Sequence, residues 1–418
     1  MKRAWLWVPT LYFAESIPNA VVSDTAKFLY NDLGVDAIQL GLITGSMYLP
    51  WVLKPLWSPM VDLVKTKRWW IVAMQLVLAA CFFTLAATLH LPNWLFLSAA
   101  VLWVMAFTSA THDIAADGFY MLGLEERDQA QFTGVRATAY RLAMLCAKGF
   151  MVAAAGRLTL SMGKLQGWST VLCIPAAAFV AVAVYHLVVL PRPPADQPVR
   201  EENFFAGYLE SFRTFFARPA IQTAIAFMLL FRFAEAQLLA MVAPFLTGPH
   251  AKGGLALSTE QVGIAYGTYG VLGIICGGIL AGFLVARFGL RKLFWILIVT
   301  MHVPNAAFLY LAVAQPDNLV LISAFLFLEQ FGYGFGFTAY MLYLMYFSRG
   351  DRQTSHYAIC TGFMALSLML PQMVSGYVKT ALGFQGFFLY ILICTLPSFW
   401  VAWLAWRDRE FIATFSDK

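Results

Sequence analysis

Long apolar stretches recur along the whole of this 418-residue chain. A helix that crosses about 30 Å of hydrocarbon needs roughly 20 apolar residues. Hydrophobic residues make up 61% of the chain and charged residues only 12%, too few charges to cover a water-soluble globule of this size. The sequence therefore predicts an all-α integral membrane protein with twelve spans, at residues 5–30, 37–61, 69–89, 94–122, 130–156, 168–190, 219–246, 258–285, 293–314, 318–347, 355–381 and 384–406.

Charged side chains lie inside several of these spans. They are Glu15, Lys54, Asp113, Asp117, Arg136, Arg141, Lys148, Arg232, Glu235 and Glu329. An ionised group in a bilayer costs roughly 2.5–3.5 kcal/mol, so it normally faces a protein interior or a water-filled path. Five are acids and five are bases, so protonation of one acid changes which partners pair. The pattern favours a transporter with Glu15, Glu235 and Glu329 as candidate proton carriers; structural ion pairs between helices are the alternative.

The basic residues predict the orientation of the chain. With the N-terminus inside, 18 of the 28 Lys and Arg fall in the termini and the even-numbered connections, and five fall at or near the outer side. Such an excess in cytoplasmic loops is the positive-inside rule, so both termini are expected in the cytoplasm. This placement accounts for the net charge of +6 without a nucleic-acid partner.

A charged, proline-rich stretch interrupts the apolar pattern after six spans. It predicts a six-helix bundle at residues 1–190, a cytoplasmic linker with an amphipathic helix at 191–218, and a second six-helix bundle at 219–418. Phe13-Ala14-Glu15 matches Phe233-Ala234-Glu235 at an offset of 220 residues, and Glu126-Arg127 matches Asp351-Arg352 at 225. Two matches at nearly one offset favour an internal repeat of pseudo-symmetric bundles.

The fourth span carries His112-Asp113 and then Asp117, and the spacing of four places the two aspartates on one helical face. Cations are expected at a similar depth on neighbouring spans. The predicted network consists of Lys54, Asp113, Asp117, Arg136 and Arg141. Lys148 extends the positive face outward, as a path for an anionic solute would require.

In the second half, Arg232 and Glu235 lie three residues apart near the middle of the seventh span, and Glu329 lies at a similar depth in the tenth. Three glycines follow Glu329 within residues 331–337. Close helix packing and local unwinding at a ligand site are the two interpretations of this segment.

Two loops between spans have a common pattern. The segment from Gly282 through Arg287 to Arg291 resembles the G-x-x-x-D-R-x-G-R-R loop of the major facilitator superfamily, and Asp62 keeps the acid of that loop after the second span. A carboxylate there can accept hydrogen bonds from a helix N-terminus and hold one conformation closed. We therefore predict Asp62, Arg287 and Arg291 as gating-loop residues.

Across essentially its whole length the chain resembles the AmpG-type muropeptide permeases, which are grouped with eukaryotic acetyl-CoA transporters in the major facilitator superfamily. The similarity is sharpest at Leu53-Lys54-Pro55-Leu56-Trp57-Ser58-Pro59 with Asp62, at Ser109-Ala110-Thr111-His112-Asp113-Ile114 with Asp117, and at Glu125-Glu126-Arg127 followed by Tyr140-Arg141-Leu142. The resemblance implies the superfamily fold of two six-helix bundles, adds His112 and Tyr140 to the pathway, and implies proton-coupled import of muropeptides across the bacterial inner membrane.

Four positions depart from that resemblance. Glu15, His112, Arg136 and Lys148 stand where the muropeptide permeases carry Ser, Gln, Ser and Gly. Such changes leave the fold and the general mechanism in place and leave the solute open to another saccharide, a glycan fragment or an anionic conjugate.

The resulting hypothesis is a monomeric, proton-coupled secondary transporter in the bacterial inner membrane. It imports a sugar-containing or anionic solute, such as a muropeptide or another glycan fragment, by alternating access, with the proton gradient as energy source and no cofactor or metal. Efflux of a drug or amphiphile and a non-transporting membrane sensor are the alternatives. The six histidines are scattered, and no HxxxD, CxxC or paired-His motif sits beside an apparent cofactor site, so an enzyme is not expected.

Overall fold

The computed structural model of the chain describes residues 4–124, 126–198, 204–349 and 353–415, without the side chains of residues 59, 62, 126–131, 133–134, 204–208 and 353–354. The predicted gating residue Asp62 and the repeat pairs Glu126-Arg127 and Asp351-Arg352 therefore lie outside the described side chains. Within the described ranges the regular structure is helical and no strand occurs.

The helices before the linker follow each other with short connections. They are α1 (Ala4–Ala20), α2 (Ala26–Asp32), α3 (Ala37–Ser46), α4 (Leu49–Val64), α5 (Lys67–Thr88), α6 (Trp94–Gly123), α7 (Glu126–Met144), α8 (Met151–Met162) and α9 (Lys164–Val189). A π-helical turn, Val21–Thr25, joins α1 to α2, and a second, Leu145–Phe150, joins α7 to α8. Each turn continues its helix without ending it.

The remaining helices are α10 (Phe204–Phe216), α11 (Ile221–Leu230), α12 (Phe233–Thr247), α13 (Thr259–Val262), α14 (Val271–Phe288), α15 (Leu290–His302), α16 (Ala306–Ala314), α17 (Leu319–Phe347), α18 (Gln353–Ile393), α19 (Thr395–Arg407) and α20 (Arg409–Thr414). A π-helical segment, Gly263–Gly270, makes α13 and α14 one continuous rod. Gly383 has φ 68° and ψ 179°, so α18 is two helices that meet at this residue.

Nine helical stretches in the described part of the chain are long and apolar enough to span a membrane. They are Lys67–Thr88, Trp94–Gly123, Val135–Met162, Lys164–Val189, Ile221–Thr247, Thr259–Phe288, Leu290–Ala314, Leu319–Phe347 and Ser355–Arg407. The last contains the break at Gly383 and covers two predicted spans. The first two predicted spans are helical but fall outside this set. The protein is thus a multi-pass membrane protein, and the count of twelve stays a prediction.

Contacts divide the chain into two compact units. The first takes in the chain up to Leu29 and from Leu53 into the predicted linker; the second takes in Tyr30–Val52 and the chain beyond the linker. In the second unit, Gly41 of α3 lies against Gln372 of α18, because a Cβ at Gly41 would be 2.8 Å from that carbonyl oxygen. The predicted domain limits at residues 190 and 218 stay a prediction.

Fully buried side chains form the core of each unit. In the first unit Trp7, Leu11 and Phe119 are at most 1% exposed, and the Trp7 and Phe119 rings meet edge to face at 5.3 Å. The second unit has an aromatic core in which Phe227 lies 4.2 Å from Tyr343, centroid to centroid. These cores fix the rotation of each helix about its axis and hence the direction of its polar side chains.

The amphipathic helix predicted in the linker is present as α10. Phe215 is fully buried in the core of the second unit, with ring centroids 5.6 Å from Phe347 and 6.3 Å from Phe363. Leu209 and Phe216 are exposed. One face of α10 therefore packs on the second unit.

Glycines bring α14 and α17 into backbone contact. A Cβ at Gly277 would lie 2.9 Å from the amide nitrogen of Phe335, and a Cβ at Gly334 would lie 2.8 Å from Cα of Ile274. The helix α17 is unbroken from Leu319 to Phe347. The glycines after Glu329 therefore serve close packing, and the unwinding interpretation of this segment is wrong.

We expect Gly277→Ala to destabilise the protein by about 1–3 kcal/mol, because the new methyl group overpacks the contact with α17. The matched control is Gly282→Ala on the same helix, since nothing lies within 4 Å of a Cβ at Gly282 and alanine favours the helix. Melting temperatures of the detergent-solubilised variants test this. A Gly277→Ala variant that melts with or above the control contradicts the packing account.

Candidate functional site

Three carboxyl groups converge inside the first unit. Glu15 comes from α1, and Asp113 and Asp117 come from successive turns of α6. One carboxylate oxygen from each lies within 4.8 Å of the other two. This spacing would suit metal ligands, but two cationic side chains lie against two of these carboxyl groups.

These cations are Lys54 of α4 and Arg136 of α7. The Lys54 ammonium forms an ion pair with Asp113, and the Arg136 guanidinium forms one with Asp117. The Lys54 and Asp113 side chains are 20% and 21% exposed. The predicted network of Lys54, Asp113, Asp117 and Arg136 is thus assembled, with Glu15 added to it. We call these five residues the carboxylate cluster.

Two tyrosines that the sequence interpretation missed complete the cluster. Tyr12 Oη donates to Asp117 Oδ1 at 3.0 Å. The Arg136 guanidinium carbon lies 4.2 Å from the Tyr12 ring centroid and 4.6 Å from that of Tyr120. Tyr12 precedes Glu15 by three residues and Tyr120 follows Asp117 by three, so helical spacing was a usable signal for both.

The charge balance of the carboxylate cluster is uneven. It holds three acids and two bases, so it is electroneutral when it carries one proton. Carboxylate oxygens this close repel one another when all three acids are ionised, and a proton on one of the acids relieves that repulsion. The cluster therefore holds one more titratable acid than its two bases balance.

Lys148 lies apart from this cluster. Its Nζ is 3.8 Å from Asp24 Oδ1, and the Lys148 side chain is 3% exposed. Both residues belong to the π-helical turns, which are joined where Thr25 Oγ1 donates to the Ala147 carbonyl oxygen at 2.9 Å. The buried Lys27 lies on the same helix as Asp24. The sequence interpretation missed the pairing of Asp24 with Lys148.

His112 does not join the carboxylate cluster. Its Nε2 is 3.0 Å from the Gln75 side-chain nitrogen, and Gln75 also hydrogen-bonds to Nδ1 of His186. His186 Nε2 is in turn 3.0 Å from Thr10 Oγ1. This buried chain links α1, α5, α6 and α9, which is a structural role.

Arg141 and Tyr140 of α7 also lie outside the cluster. Arg141 is half-buried and forms no ion pair or hydrogen bond with the described part of the chain. Tyr140 is 45% exposed. Arg141 was predicted as a network member, but it lies five residues after Arg136, which places it on another face of the helix.

In the second unit, Arg232 sits where the seventh span is interrupted. The helix α11 ends at Leu230 and α12 begins at Phe233, with Arg232 as its N-cap at φ −106° and ψ 14°. Arg232 is 4% exposed, and its guanidinium donates to the hydroxyl of Tyr333.

Hydroxyl groups from neighbouring helices compensate for this break. Tyr340 Oη donates to the Met228 carbonyl oxygen at 2.7 Å, and Ser398 Oγ donates to the Leu230 carbonyl oxygen at 3.1 Å. Irregular backbone at membrane depth is tolerated only when such partners replace the lost helical bonds. The interruption between α11 and α12 is therefore stabilised by the surrounding helices of the second unit.

The two predicted acids of this unit are fully buried. Glu329 accepts a hydrogen bond from Gln330 Nε2 at 2.8 Å, and Glu235 lies in the first turn of α12. Arg232 forms no ion pair with either of them, or with any other residue that the structure describes. Arg287 and Arg291 are exposed at the end of α14 and the start of α15.

Comparisons with known proteins agree with this architecture. The anhydromuropeptide permease of Escherichia coli K12 is 24% identical over 394 residues, which are 93% of this chain and 76% of the permease. A protein of Rickettsia conorii named as transporter AmpG 4 is 22% identical over 409 residues, 94% of each chain. The resemblance to AmpG-type permeases is confirmed.

Solved structures share the fold at low identity. The crystal structure of a D-xylose-proton symporter superposes with a TM-score of 0.69 at 15% identity and 97% coverage of both chains. A bacterial homologue of the human lysosomal transporter Spinster superposes with a TM-score of 0.70 at 16% identity, covering 100% of this chain and 98% of that one. The sequence model of the Major Facilitator Superfamily matches residues 10–251, more than half of the chain. The chain therefore belongs to the Major Facilitator Superfamily of transporters.

Proposed function

We propose that this transporter is a proton-coupled importer of a sugar-containing solute, a muropeptide or another glycan fragment, across the bacterial inner membrane by alternating access. The observation that carries the proposal is the carboxylate cluster, with three acids and two bases in contact. An uncompensated charge inside a membrane protein is expensive, and one proton on an acid would leave the cluster neutral.

Glu15 is the proposed proton carrier. Lys54 is paired with Asp113 and Arg136 with Asp117, so Glu15 is the acid that has no cation of its own in the cluster. One Glu15 carboxylate oxygen lies within 4.8 Å of an Asp113 oxygen, so an ionised Glu15 would compete with Asp113 for Lys54. Proton release therefore changes the pairing between α1, α4 and α6, the kind of rearrangement that coupling requires.

The solute class is supported by the relatives. The anhydromuropeptide permease and the AmpG-type protein align with nearly the whole of this chain. The resemblance places uncharged residues at Glu15 and Arg136 in muropeptide permeases. Both residues lie in one cluster and add one acid and one base, so the cluster gains a titratable group without a change in net charge.

We expect Glu15→Gln to abolish accumulation driven by a proton gradient while solute exchange between two sides persists. A transporter that moves one proton with each solute can accumulate the solute about tenfold per unit of pH difference. The variant lacks the proton carrier, so its internal solute concentration should not exceed the external one. Uptake of anhydromuropeptides and a glycan panel into proteoliposomes, with and without a protonophore, measures this.

Glu410→Gln is the matched control, because Glu410 is an exposed carboxylate of the same chemistry. It should accumulate solute like the wild type. Gradient-driven accumulation by Glu15→Gln, or a wild type that a protonophore does not affect, would contradict the assignment. Outward transport of amphiphiles with no glycan uptake would instead support the efflux alternative.

A second prediction concerns the Lys54–Asp113 pair. Lys54→Gln leaves an extra negative charge in the cluster and should cost about 1–3 kcal/mol of stability. The double variant Lys54→Gln with Asp113→Asn restores the charge balance and should recover most of that loss. Thermal melts of the purified proteins test the non-additivity. Lys65→Gln, an exposed loop substitution, should have little effect. A double variant whose loss equals the sum of the single losses would show that the two side chains do not interact.

A further inference from the structure

We infer that Arg232 is an anion-binding residue whose guanidinium receives a carboxylate or phosphate group of the transported solute. This inference deepens the proposed function and rests on it in one respect, that the anion is part of the solute. It assigns a chemical requirement to the solute that a neutral saccharide does not meet.

The first observation is a buried cation without a counter-ion. Arg232 is 4% exposed, yet within the residues that the structure describes it has no ion pair, and its Nε has no hydrogen-bond partner. Buried guanidinium groups are normally paired, because an isolated charge in a low dielectric is costly. The acid nearest in sequence, Glu235, lies three residues further along in the first turn of α12, and among the described residues no ion pair joins the two.

The second observation is what surrounds the guanidinium. The ring centroids of Tyr333, Phe337 and Tyr340 lie 5.4, 4.9 and 5.9 Å from its central carbon. All three rings come from one face of α17, at spacings of four and three residues. Ring faces attract a cation but do not neutralise it. They hold Arg232 in place and leave its charge available to an oxyanion.

The third observation is the start of α12 at the same point. Arg232 is the N-cap of this 15-residue helix, and its side chain makes no capping hydrogen bond. The first amide groups and the dipole of a helix favour negative charge at this end. A guanidinium presents two parallel N–H donors that match the two oxygens of a carboxylate or a phosphate. The cation and the helix start therefore favour the same kind of ligand group.

The test compares two matched saccharides. Anhydro-N-acetylmuramic acid carries a carboxylate that anhydro-N-acetylglucosamine lacks. We expect the purified full-length protein to bind the acid more tightly in isothermal titration calorimetry. Arg232→Gln should weaken binding of the acid about 10-fold to 100-fold and leave the neutral sugar unchanged. Arg232→Lys keeps the positive charge but loses the two parallel N–H donors, so its affinity for the acid should lie between those of the wild type and Arg232→Gln.

Arg407→Gln is the control, because Arg407 is an exposed arginine of the same unit that lies 4.8 Å from the ring of Trp403. It should discriminate between the sugars like the wild type. An Arg232→Gln variant that folds, as judged by size-exclusion chromatography, and still prefers the acid as strongly as the wild type overturns the inference.

Simple anions separate this inference from the solute proposal. If the wild type binds neither sugar, the proposed solute class is wrong, and thermal melts with inorganic phosphate and D-lactate decide on Arg232. Stabilisation by either anion that disappears in Arg232→Gln supports the site and shows which oxyanion it takes. Stabilisation that persists in Arg232→Gln, or none in the wild type, overturns it.

Discussion

A charge inside an apolar protein has to be compensated close to where it lies, and this requirement shapes the interior of both units. In the first unit the compensation is mainly ionic, since Lys54 and Arg136 each lie against an aspartate. In the second unit, Arg232 is held by aromatic rings and a tyrosine hydroxyl. The apolar cores of the two units offer these charged groups few other polar partners.

The ionic compensation in the first unit and the aromatic compensation in the second suit two kinds of ion. A cluster of carboxyl groups that contains one acid more than bases suits the proposed exchange of a proton. An arginine that is held by aromatic rings and one tyrosine hydroxyl, without a counter-ion among the described residues, suits the proposed binding of an oxyanion. The hydroxyl groups of Tyr340 and Ser398 keep the backbone around Arg232 satisfied, so the irregular start of α12 does not depend on a ligand. The proposed coupling ion and the proposed solute contact thus have separate structural bases in the two units.

Much of this could be predicted from the sequence, because the period of a helix is fixed. Asp113 and Asp117 share a face for that reason, and apolar length alone indicated the membrane helices. Other features depend on the rotation of one helix against another. His112 is adjacent to Asp113 in sequence, but it lies about 100° further round the helix and therefore meets Gln75. The interruption between α11 and α12 contains no glycine or proline. Hydrogen bonds from Tyr340 and Ser398 of other helices stabilise it, so the local sequence did not predict it.

The π-helical turns have a consequence for comparing this chain with its relatives. A π-helical turn forms where one residue is inserted into an α-helix. The insertion rotates the side chains after it by about 100° relative to those before it. Val21–Thr25 and Leu145–Phe150 each contain such an addition, and Asp24 meets Lys148 at them. A relative whose alignment has a one-residue gap in either segment would turn that half of its helix away, and would lose the ion pair even if both charged residues were retained.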